Sequence, residues 1–168
     1  GLVEWRYGLP MALIALVFGG SGALLIQFFS RAFIAALIPL LLTAVALYFG
    51  LMRGISEADR KARISKTLFL TVIIPPLALY DGFLGPGAGS FYAAVLIGLL
   101  GLGMTRMTAM AKLLNGGSNT GSLLVFTLSG AVHWPLGLAM GVASMVGAQI
   151  GSHPVSYTHL TLPTILLV

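Results

Sequence analysis

The sequence predicts an all-α, polytopic transmembrane helical bundle interrupted by a Gly/Pro helix break. Three observations carry that expectation. Hydrophobic residues make up 58% of the 168-residue chain and charged residues only 8%, against about 25% charged in soluble domains, and the mean hydropathy is +1.01. Apolar runs of about 20 residues, the length needed to cross a bilayer core as a helix, follow one another along the chain. Polar residues are gathered in one segment, "RGISEADRKARISK" at 53–66.

The elements follow in order. Residues 8–30 contain no charge and form a first span, ended by Arg31. Residues 32–52 form a second, with Pro39 tolerated as a kink because neighbouring groups can satisfy the freed carbonyl. In segment 53–66, Ser56 to Asp59 has the pattern of a helix start and predicts a short surface helix. Residues 67–104 are long enough for two passes, interrupted by Pro75-Pro76 and by "YDGFLGPGAGSF" at 80–91. A helix follows over about 105–130. "AVHWP" (131–135) is a turn, with Trp134 suited to an interface and Pro135 to a first helical turn. Residues 136–152 form the last span. The fourteen residues "VSYTHLTLPTILLV" contain no Gly or Ala and read as extended chain. They resemble the translated read-through of a sequencing adapter, so 1–153 is expected to be the membrane segment and 154–168, His159 included, a non-native tail.

Composition excludes several function classes. With no cysteine, disulfides, thiolate catalysis and thiolate metal sites are absent. No metal site or cofactor is implied. The net charge of +5 comes from nine basic residues, five of them between Arg53 and Lys66; without aromatic interleaving they are topology determinants rather than a nucleic-acid surface. With 53–66 cytoplasmic, strict alternation places Arg6, Arg106 and Lys112 on the same side. Only Arg31 then faces outward, as the positive-inside rule requires.

The glycine stretch is not a nucleotide loop. A Walker A loop needs a Lys after its last Gly, and a dinucleotide fingerprint needs a third Gly where Ser90 stands. Gly85, Pro86, Gly87 and Gly89 instead stop one helix and allow another to begin. A helix starting near Gly89-Ser90 would turn its unpaired N–H groups and positive dipole end into the bundle, which suits an anion; a tight loop at the membrane surface fits the same residues. Asp81, flanked by about fifteen apolar residues on one side, is costly in lipid and marks function by default. Capping the break, relaying a proton and pairing with a cation all remain open for it.

A second constellation is "TRMTAMAKLLNGGSNTGS" (105–122). On a helix, Thr108, Lys112, Asn115, Asn119 and Ser122 fall within about 80° of arc. Such a stripe faces a bundle interior or a wet cavity, although Lys112 can also snorkel to the surface and the asparagines can simply bond a neighbouring helix. The spacings Gly117-x3-Gly121, Gly137-x3-Gly141 and Gly147-x3-Gly151 predict close helix packing.

These stretches together resemble the TauE/SafE family, the sulfite exporter or TSUP permeases. The likeness is carried by "SGALLIQ" (21–27), "GISEADRKAR" (54–63), "YDGFLGPGAGSFYA" (80–93), "AMAKLLNGGSNTGSLLVF" (109–126) and "GAQIGS" (147–152). The resemblance implies a multi-pass bacterial inner-membrane protein of two similar halves, each with a glycine-rich helix break followed by an Ala/Thr/Asn-rich helix. It implies transport of sulfite, an organosulfonate or another small sulfur anion, with the bilayer and coupled protons as further partners. On that template the chain is a fragment holding the end of the first half and most of the second. The expected substrate-binding set is Asp81, Gly85, Pro86, Gly87, Gly89, Ser90, Lys112, Asn115 and Asn119. Two other classes compete with this one. A membrane-embedded enzyme needs a second buried acid or a Ser/His pair, which the sequence does not offer; a non-transporting scaffold or sensor subunit would use the same polar stripe for assembly.

Overall fold

The computed structural model describes residues 4–51 and 61–165, and among them the secondary structure is entirely helical. Helix α1 is Trp5–Leu25, extended by a tight 3₁₀ turn at Ile26–Phe28. Helix α2 is Arg31–Leu51; it starts where the Ser30 hydroxyl accepts from Phe33 N at 3.3 Å, and it carries Pro39 inside it as expected. Helix α3, Lys66–Leu68, starts at Ser65, whose hydroxyl accepts from Leu68 N at 3.2 Å. It runs through a π-helical turn, Phe69–Ile73, into α4, Ile74–Phe83. Helix α5 is Ala88–Gly98, α6 is Met104–Leu128 and α7 is Trp134–Ile165. The surface helix expected from Ser56 to Asp59 lies outside the described residues.

Three sequence expectations are corrected here. Pro75-Pro76 does not interrupt the third pass. The prolines sit at the start of α4, where the missing N–H groups are absorbed by the preceding π turn, in which Ile74 N reaches back to Phe69 O. The two passes expected in 67–104 are unequal: one helical run of 18 residues, Lys66–Phe83, and an 11-residue α5, too short to cross a bilayer core alone. The segment expected to be extended after Pro154 is helical to Ile165. Main-chain hydrogen bonds propagate the helix at little cost from its Thr and Ser residues, although Pro163 has no N–H to donate.

Residues 1–129 and 130–168 form two compact units. In the first, α1 packs on both α4 and α6, and α5 on α6. Helix α1 is ordered inside-out relative to a soluble helix: it buries Gly8, Met11, Ala15, Gly19, Gly22 and Ala23 and exposes Leu9, Leu13, Val17 and Leu24. Small residues inside and large apolar ones outside are what a lipid-facing helix requires. Trp5–Phe28 and Lys66–Phe83 are each long and apolar enough to cross a membrane by length and composition.

The small residues bring backbones into contact. A Cβ at Gly19 would lie 2.6 Å from Ser118 Cα, and one at Gly117 2.5 Å from Ala12 O. At Gly82 it would collide with the Gly19 carbonyl, at Gly121 with the Leu16 carbonyl, and at Gly22 with the Leu79 carbonyl. Ser122 Oγ ties the same crossing, donating to Ser118 O at 2.9 Å and Gly19 O at 3.2 Å. The expected packing of Gly117 and Gly121 is therefore present. Nothing among the described residues lies within 4 Å of a Cβ placed on Gly137, Gly141, Gly147 or Gly151. A small-x3-small spacing makes a flat face but does not supply a partner.

One end of the first unit is pinned by charge. Glu4, before α1, accepts from Lys66 Nζ and from Arg106 of α6, the latter at 2.5 Å, and Lys66 Nζ also lies 4.2 Å from the Tyr7 ring centroid. Hydrogen bonds from Lys66 and then Arg106 hold the Glu4 carboxyl below its ordinary 4.5. The starts of α1, α3 and α6 therefore share one end, as the charge alternation required.

Three outcomes follow. Gly82→Ala should destabilise the intact protein in detergent by about 2 kcal/mol, the scale of overpacking, because the atom it meets is backbone. Gly116→Ala, with nothing within 4 Å, should stay within about 0.5 kcal/mol of wild type or gain slightly from helix propensity. Glu4→Gln should lower the unfolding midpoint at pH 7. Because the folded-state pKa is depressed, that difference should persist above pH 4.5 and vanish as the pH falls below it.

Candidate functional site

The helix break forms as a tight strap. Helix α4 ends with Leu84 N and Gly85 N both reaching Tyr80 O, at 2.9 and 3.4 Å. Gly85 and Gly87 then both take φ +80°, a backbone conformation that glycine alone enters freely. The Tyr80 hydroxyl donates to Pro86 O at 2.5 Å, and the Tyr80 ring stands edge-to-face against Phe91, centroids 5.5 Å apart. The chain thus reverses with its loose carbonyl satisfied by a side chain from the helix it has just left.

Helix α5 begins immediately after. Ala88 N donates to Gly85 O at 3.1 Å and Ser90 N to Gly87 O at 3.0 Å. Gly89 N has no backbone partner among the described residues, as expected of a donor in a first helical turn. At its other end α5 meets the start of α3, since Arg63 N donates to Leu99 O at 2.8 Å. The rise from Gly89 to Gly98 is about 14 Å, so the N-terminus of α5 stands about half a hydrocarbon thickness from that end of the bundle.

A cleft of about 270 Å³ opens between this N-terminus and α6, lined by Gly89, Ser90 and Ala93 on one side and Met107, Thr108, Ala111, Lys112 and Asn115 on the other. Lys112 is exposed and has no ion-pair partner among the described residues. It also borders a second cleft of about 360 Å³ on the α1 side of α6, with Leu16, Gly117 and Thr120. Asn119 Nδ2 donates to Asn115 Oδ1 at 3.2 Å, which leaves the Asn115 Nδ2 donors toward Gly89; Nδ2 lies 3.7 Å from where a Gly89 Cβ would stand.

The structure brings four of the nine expected residues around one cleft: Gly89, Ser90, Lys112 and Asn115. Asn119 orients Asn115 from one turn further along. Gly85, Pro86 and Gly87 shape the turn and do not line the cleft. Asp81 does not line it either, and the capping role considered for it is corrected: α5 has Gly87 at its N-cap and no side-chain cap. Asp81 is 6% exposed, and its Oδ2 accepts from the Ser118 hydroxyl across the α4–α6 contact.

Two residues of this interior group were not anticipated. Ser118 is fully buried and Tyr92 of α5 is fully buried, with the Tyr92 hydroxyl close to Ser118 and Asp81 yet without a well-formed hydrogen bond. Ser118 lies about 40° beyond Ser122, just outside the polar arc on α6. It stands within the stretch "AMAKLLNGGSNTGSLLVF" that carries the family likeness, but nothing local points to its partner. Nothing in the α5 sequence pointed Tyr92 toward it.

Comparison with known proteins follows the same lines. The sulfite exporter TauE/SafE family model matches residues 1–166. The chain is 41% identical over 152 residues to a probable membrane transporter protein, ORF9, of a Sinorhizobium species, covering 90% of this chain and 58% of that one. It is 43% identical over 141 residues to the probable membrane transporter protein YfcA of Escherichia coli K12, 83% of this chain and 52% of that one. A probable membrane transporter protein of Haemophilus influenzae is 38% identical over 148 residues, 87% of this chain and 58% of that one. The chain therefore spans a little over half the length of these relatives, and no solved structure matches it. With the glycine-rich break, the polar helix after it and a family match over nearly its whole length, the chain belongs to the sulfite exporter TauE/SafE family of membrane proteins.

Proposed function

We propose that the intact protein is a secondary transporter for a small anion, sulfite or an organosulfonate, in the bacterial inner membrane, with residues 53–66 cytoplasmic. The observation that carries this reading is the cleft in which the N-terminus of α5 faces Lys112 and the amide of Asn115, with neither a backbone partner for Gly89 N nor an ion-pair partner for Lys112 among the described residues. A helix N-terminus supplies donors and a partial positive charge; Lys112 adds a full one. The names of the relatives and of the family support the transporter class and the sulfur anion. The end-on cluster of Glu4, Lys66 and Arg106 supports a common side for the basic segments.

Asp81 supplies the coupling in this reading. A carboxyl held in the bundle interior against Ser118 is positioned to gain and lose one proton per cycle. It takes no part in holding the anion, since it does not line the cleft.

Flux through the full-length permease in proteoliposomes tests both roles. Lys112→Gln should lower sulfite flux about tenfold to a hundredfold at subsaturating concentration, the worth of one charge-assisted hydrogen bond, while Lys112→Arg keeps most of it; full flux in Lys112→Gln contradicts the site. Asp81→Asn should retain sulfite counterflow but lose accumulation driven by a pH gradient, and unimpaired pH-driven accumulation would remove Asp81 from coupling.

A further inference from the structure

The Ser118 hydroxyl has one proton and two acceptors within reach. One is Asp81 Oδ2 on α4; the other is Asn115 O, one turn back on its own helix, at 3.1 Å. We propose that Ser118 is a positioning residue that reports the protonation of Asp81 to the anion cleft by switching its hydrogen bond between Asp81 and Asn115. This deepens the transporter reading and rests on it.

The two protonation states favour different partners. When Asp81 is ionised it is acceptor-only, and the charge-assisted bond from Ser118 is the stronger of the two available. When Asp81 takes a proton from the aqueous phase, it becomes a donor to Ser118 Oγ. Ser118 must then turn its own proton elsewhere, and Asn115 O is the acceptor in place. No covalent bond forms or breaks except the O–H gained and later released by Asp81. Nothing but hydrogen bonds moves on Ser118.

The two ends of the switch belong to different places. Asp81 is buried at the contact of α4 and α6, whereas Asn115 lines the cleft with Gly89, Ser90 and Lys112. Asn115 is also held by Asn119, so its main-chain carbonyl and side-chain amide form one short connected path from Ser118 to the cleft. The titratable groups facing Asp81 are Tyr80 on its own helix and Tyr92 on α5; no Lys, Arg or His among the described residues pairs with it. Where α1 crosses α4, the Gly19 backbone approaches Gly82, the residue after Asp81. The buried Tyr92 hydroxyl, lacking a well-formed bond, gains Ser118 Oγ as an acceptor in the ionised state, when that oxygen is not receiving from Asp81.

Ser118→Ala and Tyr92→Phe test this in the full-length permease. Ser118→Ala removes one oxygen without adding volume at the crowded Gly19 contact, where the methyl of Thr would not fit. In proteoliposomes, Ser118→Ala should keep sulfite counterflow within about twofold of wild type and reduce pH-gradient-driven accumulation at least tenfold, with Tyr92→Phe intermediate. Loss of counterflow and accumulation together, as in Lys112→Gln, would make Ser118 structural and overturn the proposal, as would unchanged accumulation. A second readout needs no substrate. In pH-difference infrared spectra, the protonated-carboxyl band that disappears in Asp81→Asn should shift in Ser118→Ala, and an isotope-labelled Asn115 carbonyl should shift with the same pH midpoint in wild type but not in Ser118→Ala. An Asn115 carbonyl that ignores pH in wild type overturns the switch even if the transporter reading stands. Absence of any sulfite flux in wild type, with the spectra as described, overturns the choice of anion instead.

Discussion

Everything at the site depends on three helix backbones touching where there is no room for a Cβ. Gly19 of α1 is pressed between Ser118 of α6 and Gly82 of α4. Lipid offers helices no hydrophobic force toward one another, so close packing and interhelical hydrogen bonds must hold them, and glycine is what allows the approach. The contact at Gly82 fixes its neighbour Asp81 against Ser118. By fixing α4 it also fixes where the chain can turn back, and so the depth at which α5 begins. A bulkier residue at this crossing would separate acid and hydroxyl and shift the break together.

That geometry keeps opposite charges apart. Helix α5 turns Gly89, Ser90 and Ala93 to the cleft and Tyr92 to the interior; α6 turns Lys112 and Asn115 to the cleft and Ser118 to the interior. Had Asp81 shared the cleft, it would pair with Lys112 and cancel the charge meant for an anion. A packed helix face lies between them, and in the proposed reading Lys112 serves the anion while Asp81 carries the coupled proton. Communication between the two is left to neutral groups one helical turn apart, where the energetic cost of rearrangement is small.

How much of this was legible in the sequence depended on how local the cause was. The break at Gly85–Gly87 was readable because proline and glycine act on their own backbone, and the stripe of Lys112, Asn115 and Asn119 because helical phase is a property of one segment. Pro75-Pro76 misled because the same local rule was applied without the π turn that absorbs it. The packing of Gly19, Gly22 and Gly82 is not legible in the sequence, because close approach needs a partner surface and the partner is remote along the chain. The cost of Asp81 in lipid is legible in the sequence, but its bond to Ser118 comes only from the packing of α4 on α6.

The claim at the centre is that the start of α5 holds an anion by its backbone. The most direct test is the amide proton resonance of Gly89 in the isotope-labelled, full-length permease, followed while sulfite is titrated. A saturable downfield shift of Gly89, abolished by Lys112→Gln, is the result expected of an N–H group that gains an anionic acceptor. A Gly89 resonance that stays in place while sulfite saturates transport would contradict the account.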